Sequence, residues 1–104
     1  MAIRMYIFIC DDVDIGHALL TAAHGATACT VKYQDHPEVQ AWLKGQFRKV
    51  ICKVNRQEFE RIKTLADDYL VMNECGIEGN PEISLVFRPR EEFPKAFSFF
   101  KLYR

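Results

Sequence analysis

His17, Thr21 and His24 stand at i, i+4 and i+7 in a stretch of small and apolar residues, GHALLTAAHGATA. On a helix that spacing aligns the three side chains along one face. The two imidazoles then lie two turns apart, roughly 10 Å at 1.5 Å per residue, too far for one metal ion but suited to lining a groove. Asp11 and Asp12 lie just upstream. A carboxylate beside His17 would fix its tautomer and favour its charged form, which suits general acid–base work. The other reading is a pair of structural histidines bonded to backbone carbonyls. Glu74, just before Cys75-Gly76, is the best-placed carboxylate to act with them, its alternative being an ordinary loop acid. No GxSxG, P-loop or GxGxxG pattern is present, so a hydrolase built on these residues activates water rather than forming a covalent intermediate.

A second chemistry is phosphate binding. Lys49 and Lys53 are four positions apart in an extended run, which sends both to one face, and Arg56 follows closely. Trp42, Phe47 and Phe97 offer stacking surfaces for bases, although large aromatics more often fill cores.

These residues need a scaffold. Arg4 to Cys10 is a nearly continuous apolar run, the pattern of a strand covered on both faces. Asp14 is an N-cap for a helix from Ile15 to about Tyr33, and Pro37 opens a shorter one through about Leu43. Lys49 to Val54 reads as a strand. Asn55 and Glu58 form an approximate capping box for a helix from Arg56 to Tyr69. Strands follow at Leu70–Met72 and Ile83–Phe87, with Pro89 ending the latter, then a short helix from about Glu91 to Phe99. The expected fold is α/β and three-layered: a mixed four-stranded sheet with helices on both faces. Ligands of such sheets bind beyond the carboxyl ends of parallel strands, near Asp11 to His17, Asn55 and Asn73 to Gly76.

The 104 residues, 49% hydrophobic and 27% charged, suffice for one domain spanning 1–104 and exclude extensive disorder. The formal net charge is zero, but seven bases crowd between Lys44 and Lys63, so a local positive patch is compatible with a neutral chain. Cys10, Cys29, Cys52 and Cys75 show no zinc-like spacing and read as reduced thiols. Neither a signal-peptide h-region nor a membrane-length apolar stretch is visible, which points to a cytoplasmic protein without membrane contact.

Taken in order, these segments resemble the type-2 peptidyl-tRNA hydrolases over nearly the whole chain. GHALLTAAHGATA is similar to that family's first helix, which opens with Gly-Lys and carries a downstream His-Ala pair. WLKGQFRKVICKV is similar to its Trp, Gly-Gln and Lys-Val-Val-Leu-Lys stretch, NECG stands at its Asp-Ala-Gly turn, and FFKLYR resembles its terminal strand. The divergent peptidyl-tRNA hydrolase domain-containing branch is more similar still, through Asp35-His36-Pro37, Phe87-Arg88-Pro89 and the Phe100-Lys101-Leu102-Tyr103 ending. The resemblance implies hydrolysis of the ester joining a peptide, or an N-blocked aminoacyl group, to tRNA, with no required cofactor or metal. It gives catalytic roles to His17, His24 and Glu74 and phosphate contacts to Lys49, Lys53 and Arg56.

The departures fall on the motif. His17 replaces the helix-opening lysine, Thr21 a glutamine and Glu74 the turn aspartate, while Ile77-Glu78 stand for an Arg-Thr. His24 matches. The alternative is therefore a family member without turnover that binds RNA or protein. A homodimer stays open as well, since related folds often dimerise.

Overall fold

A computed structural model describes residues 2–104; Met1 lies outside the described residues. Strand β1 (Arg4–Cys10) is buried from Met5 onward, as its unbroken apolar run requires of a central strand. It pairs in parallel with β2 (Lys49–Val54) and antiparallel with β4 (Glu82–Arg90), and β3 (Tyr69–Asn73) pairs antiparallel with β4. The sheet is mixed and four-stranded, in the order β2-β1-β4-β3.

Helices α1 (Ile15–Lys32) and α2 (Pro37–Lys44) cover the face carrying Ile7, Ile9, Ser84 and Val86. Ala18, Thr21, Gly25 and Cys29 form the buried stripe of α1. Thr21 Oγ1 and Ser84 Oγ share a hydrogen bond of 2.8 Å in the core. Gly25 lets helix and strand close up, since a Cβ there would lie 2.5 Å from Val86 Cγ2. Arg88, nearly buried, ties the layers together through Asp68 at 2.9 Å and Glu38 of α2 at 3.1 Å.

The opposite face carries Tyr6, Phe8 and Phe87, whose rings pack edge-on against Phe97 at 5.0–5.2 Å. Helix α3 (Arg56–Ile62) contributes Phe59 and Ile62 to the core and starts with the expected Asn55–Glu58 capping box. It is shorter than its sequence pattern. Leu65 and Ala66 still pack on the core from a turn, but Asp68 takes a left-handed φ of 60° and Tyr69 opens β3 instead of closing the helix.

Two further boundaries differ from the sequence reading, both at prolines. β4 runs through Pro89 to Arg90, because the register with β1 shifts between Tyr6 and Arg4, and a bulge tolerates a residue without an N–H. The final helix shrinks to a 3₁₀ turn at Lys95–Phe99, since Pro94 forces Phe93 out of helical backbone. Lys101–Tyr103 then lies against the β2 edge, with Leu102 bridging to Cys52. Among the described residues no helix is long and apolar enough to cross a membrane.

Candidate active site

Asp14 turns extended backbone into helix α1, and its Oδ2 accepts from the His17 backbone N–H at 3.2 Å. His17 is thus the third helical residue, and its ring folds back onto the cap: Nδ1 lies 2.6 Å from Asp14 Oδ1. An ionised carboxylate only accepts, so Nδ1 carries the proton and Nε2 is the free edge. This hydrogen bond, with the negative charges of Asp14 and Glu74, outweighs desolvation and lifts the His17 pKa above the ordinary imidazole value. The same bond holds the Asp14 carboxyl below the usual range.

Glu74 enters from β3, whose end runs into a tight loop. The Glu74 N–H donates to Pro81 O and the Asn80 N–H to Ile77 O, each at 3.0 Å. Gly79 at φ 87° and Asn80 at φ 48° make the left-handed turn. Inside the loop the Gly76 N–H donates to Glu74 Oε1 at 2.8 Å, which aims the carboxylate. A Cβ on residue 76 would lie 3.0 Å from Glu74 Oε1 and 3.1 Å from His17 Nε2. Imidazole and carboxylate therefore approach the same bare stretch of backbone from two sides, and the missing side chain leaves the gap between them open.

Compared with known proteins, the chain matches no family model and no curated protein. Its site has to be read from its own geometry.

Of the three residues expected to share a groove, His17 and Glu74 come together. His24 is exposed two turns along α1 and forms no hydrogen bond or ion pair with the described residues. Thr21 is not on the groove at all; it is buried against Ser84. The carboxylate beside His17 is Asp14 rather than Asp11 or Asp12, because Asp12 takes Arg56 through two bonds of 2.9 and 3.1 Å. Arg56 also donates to the Glu82 carbonyl, so its guanidinium is occupied. Lys49 and Lys53 do share the α1 face of the sheet. Lys49 Nζ sits 5.1 Å from the Trp42 ring centroid and 5.6 Å from that of Phe47, and Lys53 Nζ 4.8 Å from that of Tyr103. Trp42 and Phe97 are buried, which leaves Phe47 as the accessible ring of the three expected to stack.

Sequence reasoning missed two parts of the site. The Asp14–His17 pair carries a legible signal, a capping Asp followed three residues later by a ring able to fold back onto it. Gly76 carries none, because its role depends on where α1 lies relative to the loop. Cys10 and Cys29, each pushed up to about 12 by burial, and Cys52, at about 11, are inert core thiols, whereas Cys75 is exposed beside the site. Among the described residues no three His, Cys, Asp or Glu side chains gather as metal ligands.

Proposed function

We propose that this chain hydrolyses the ester between a peptide, or an N-blocked aminoacyl group, and tRNA. The observation that carries the reading is the approach of His17 Nε2 and Glu74 Oε1 to one open point beside Gly76. In the reaction Glu74 takes a proton from a water whose oxygen bonds to the ester carbonyl carbon. His17 Nε2–H donates to the ribose oxygen as its bond to that carbon breaks, leaving a free acid and a free ribose hydroxyl. By accepting from Nδ1–H, Asp14 favours the imidazolium, in which Nε2 also carries a proton to donate, and the raised pKa keeps more of the ring in that form near neutral pH. Lys49 and Lys53, on one face of β2, support contacts with tRNA phosphates: Lys53 makes no ion pair with the described residues, and the Lys49 ammonium donates only to the Phe47 carbonyl, at 3.2 Å.

Release of N-acetylated aminoacyl groups from tRNA tests the reading. Wild-type turnover above buffer, with at least a hundredfold loss in His17→Ala and Glu74→Gln, supports it. Absence of turnover at high protein concentration overturns it.

A binding module without turnover is the second reading. It is favoured by Ile15 and Leu19 of α1, neighbours one turn apart that are 61% and 65% exposed, an apolar pair that hydrolysis does not need.

A further inference from the structure

The last residues of the chain bring a separate group of cations to the β2 edge. The Lys53 N–H donates to Lys101 O at 3.0 Å, and the Tyr103 N–H to Ile51 O at 2.8 Å. With Leu102 opposite Cys52, this antiparallel pairing sets Lys101 opposite Lys53, and opposed residues share a face. Lys53, Lys101 and Arg104 line one groove of about 430 Å³. A second groove continues from Lys53 and Lys101 to Phe99, with Asp11 and Glu58 also on its wall.

Two features mark this edge. None of the three cations forms an ion pair or donates a side-chain hydrogen bond to the described residues, unlike Arg56, Lys63 and Arg88, which are each held by carboxylates. Phe99 is 75% exposed, while its neighbours Phe93, Phe97 and Phe100 pack their rings on Tyr6 and Phe8. The groove of Lys53, Lys101 and Arg104 has no acid on its wall, and the adjoining one places the exposed Phe99 ring beside Lys53 and Lys101, with Asp11 and Glu58 also lining it. Cations in a groove with an accessible aromatic face next to it match what single-stranded nucleic acid recognises, phosphates on the cations and a base on the ring. From β2 to β3 is three strand spacings, about 14 Å at 4.8 Å each. That is roughly four nucleotides of a stacked strand at 3.4 Å apiece, so RNA held at this edge reaches the gap between His17 and Glu74.

We propose that Lys53, Lys101 and Arg104 bind successive phosphates of a single-stranded RNA end and that Phe99 stacks on one of its bases. The inference rests on the reading that the substrate is carried on RNA. It adds the C-terminal segment to the recognition surface and leaves Arg56 out of it.

The test is binding of a fluorescent single-stranded oligoribonucleotide, and of deacylated tRNA, across a salt series. Lys53→Gln/Lys101→Gln should flatten the slope of log affinity against log salt by about 1.4, at 0.7 per lost phosphate contact. Phe99→Ala should lower affinity about tenfold with the slope unchanged. Lys101→Glu, a single exposed change, should move affinity in the same direction and guards against a double variant that does not fold. No RNA binding by the wild type at low salt, or unchanged slopes in the variants, overturns the proposal. Equal binding of a polyglutamate peptide with no contribution from Phe99 also overturns it, in favour of an acidic protein partner. Turnover of tRNA-linked ester with kcat/KM unaltered in the double variant removes this surface and leaves the hydrolase standing. A change of slope without any turnover supports the surface and removes the hydrolase.

Discussion

Asp14 binds His17 twice, its Oδ2 accepting from the backbone N–H at 3.2 Å and its Oδ1 from ring Nδ1 at 2.6 Å. One residue therefore starts the helix and sets the protonation of the ring, so the two roles can be separated. Asn at position 14 caps a helix as well as Asp does but brings no charge.

Asp14→Asn is expected to lower the His17 pKa toward the ordinary imidazole value while α1 stays intact, because the main cause of its rise is removed. The folded pKa is raised, so the stabilisation from the charged pair is complete below about pH 6.5 and is lost as pH rises through the folded value. Asp14 has a lowered pKa, and its share is lost instead as pH falls through its own folded value. With His17 as the acid, the alkaline limb of kcat/KM should shift to lower pH in the variant. Titration of the His17 ring protons by NMR checks the shift, and an unmoved pKa contradicts it.

Gly76→Ala places a methyl 3.0 Å from Glu74 Oε1 and 3.1 Å from His17 Nε2, inside the gap that a water must enter. Residue 76 does not sit in the left-handed region, so alanine adds little backbone strain. The expected result is a loss of turnover of about a hundredfold, the usual consequence of misplacing reacting groups by an ångström. The melting temperature should fall by less than about 4 °C, since an exposed substitution costs about 0.5 kcal/mol or less.

Asp12→Asn releases Arg56 from its two carboxylate bonds and removes a negative charge nearby. RNA affinity is expected to rise and its salt slope to steepen by up to about 0.7. Arg56→Ala alone should leave affinity nearly unchanged. Stability should move by less than about 1 kcal/mol, because both partners are exposed. A large loss of affinity in Arg56→Ala would show that the guanidinium leaves Asp12 for phosphate.

Gly25→Ala sets two effects against each other. Helix propensity favours alanine by about 1 kcal/mol, but the new Cβ would lie 2.5 Å from Val86 Cγ2. Overpacking of a closed core costs about 1–3 kcal/mol, so the variant is expected to be less stable by about 1 kcal/mol. Val86→Ala removes two buried methyl groups and destabilises by itself, but it should cost less in the Gly25→Ala background than in the wild type, and denaturant unfolding of the four proteins measures that coupling.

By itself the sequence determined the sheet and the order of its elements. The apolar run at Arg4–Cys10, the small-residue face of α1 and the caps at Asp14 and Asn55 are local patterns, and local physics reads them directly. It erred where a long-range contact overrode a local preference. Tyr69 packs on Phe87 in the neighbouring strand rather than extending α3, and Pro89 is absorbed by a bulge that exists only because β1 pairs beside it. The candidate site divides the same way. His17, Glu74, Lys49 and Lys53 stand out in the chain by type and spacing. That His17 and Glu74 meet, that Thr21 belongs to the core and that Arg56 is spent on Asp12 were decided only by tertiary packing. Those relationships join residues from 44 to 63 positions apart, and no helical or strand periodicity carries information over that range.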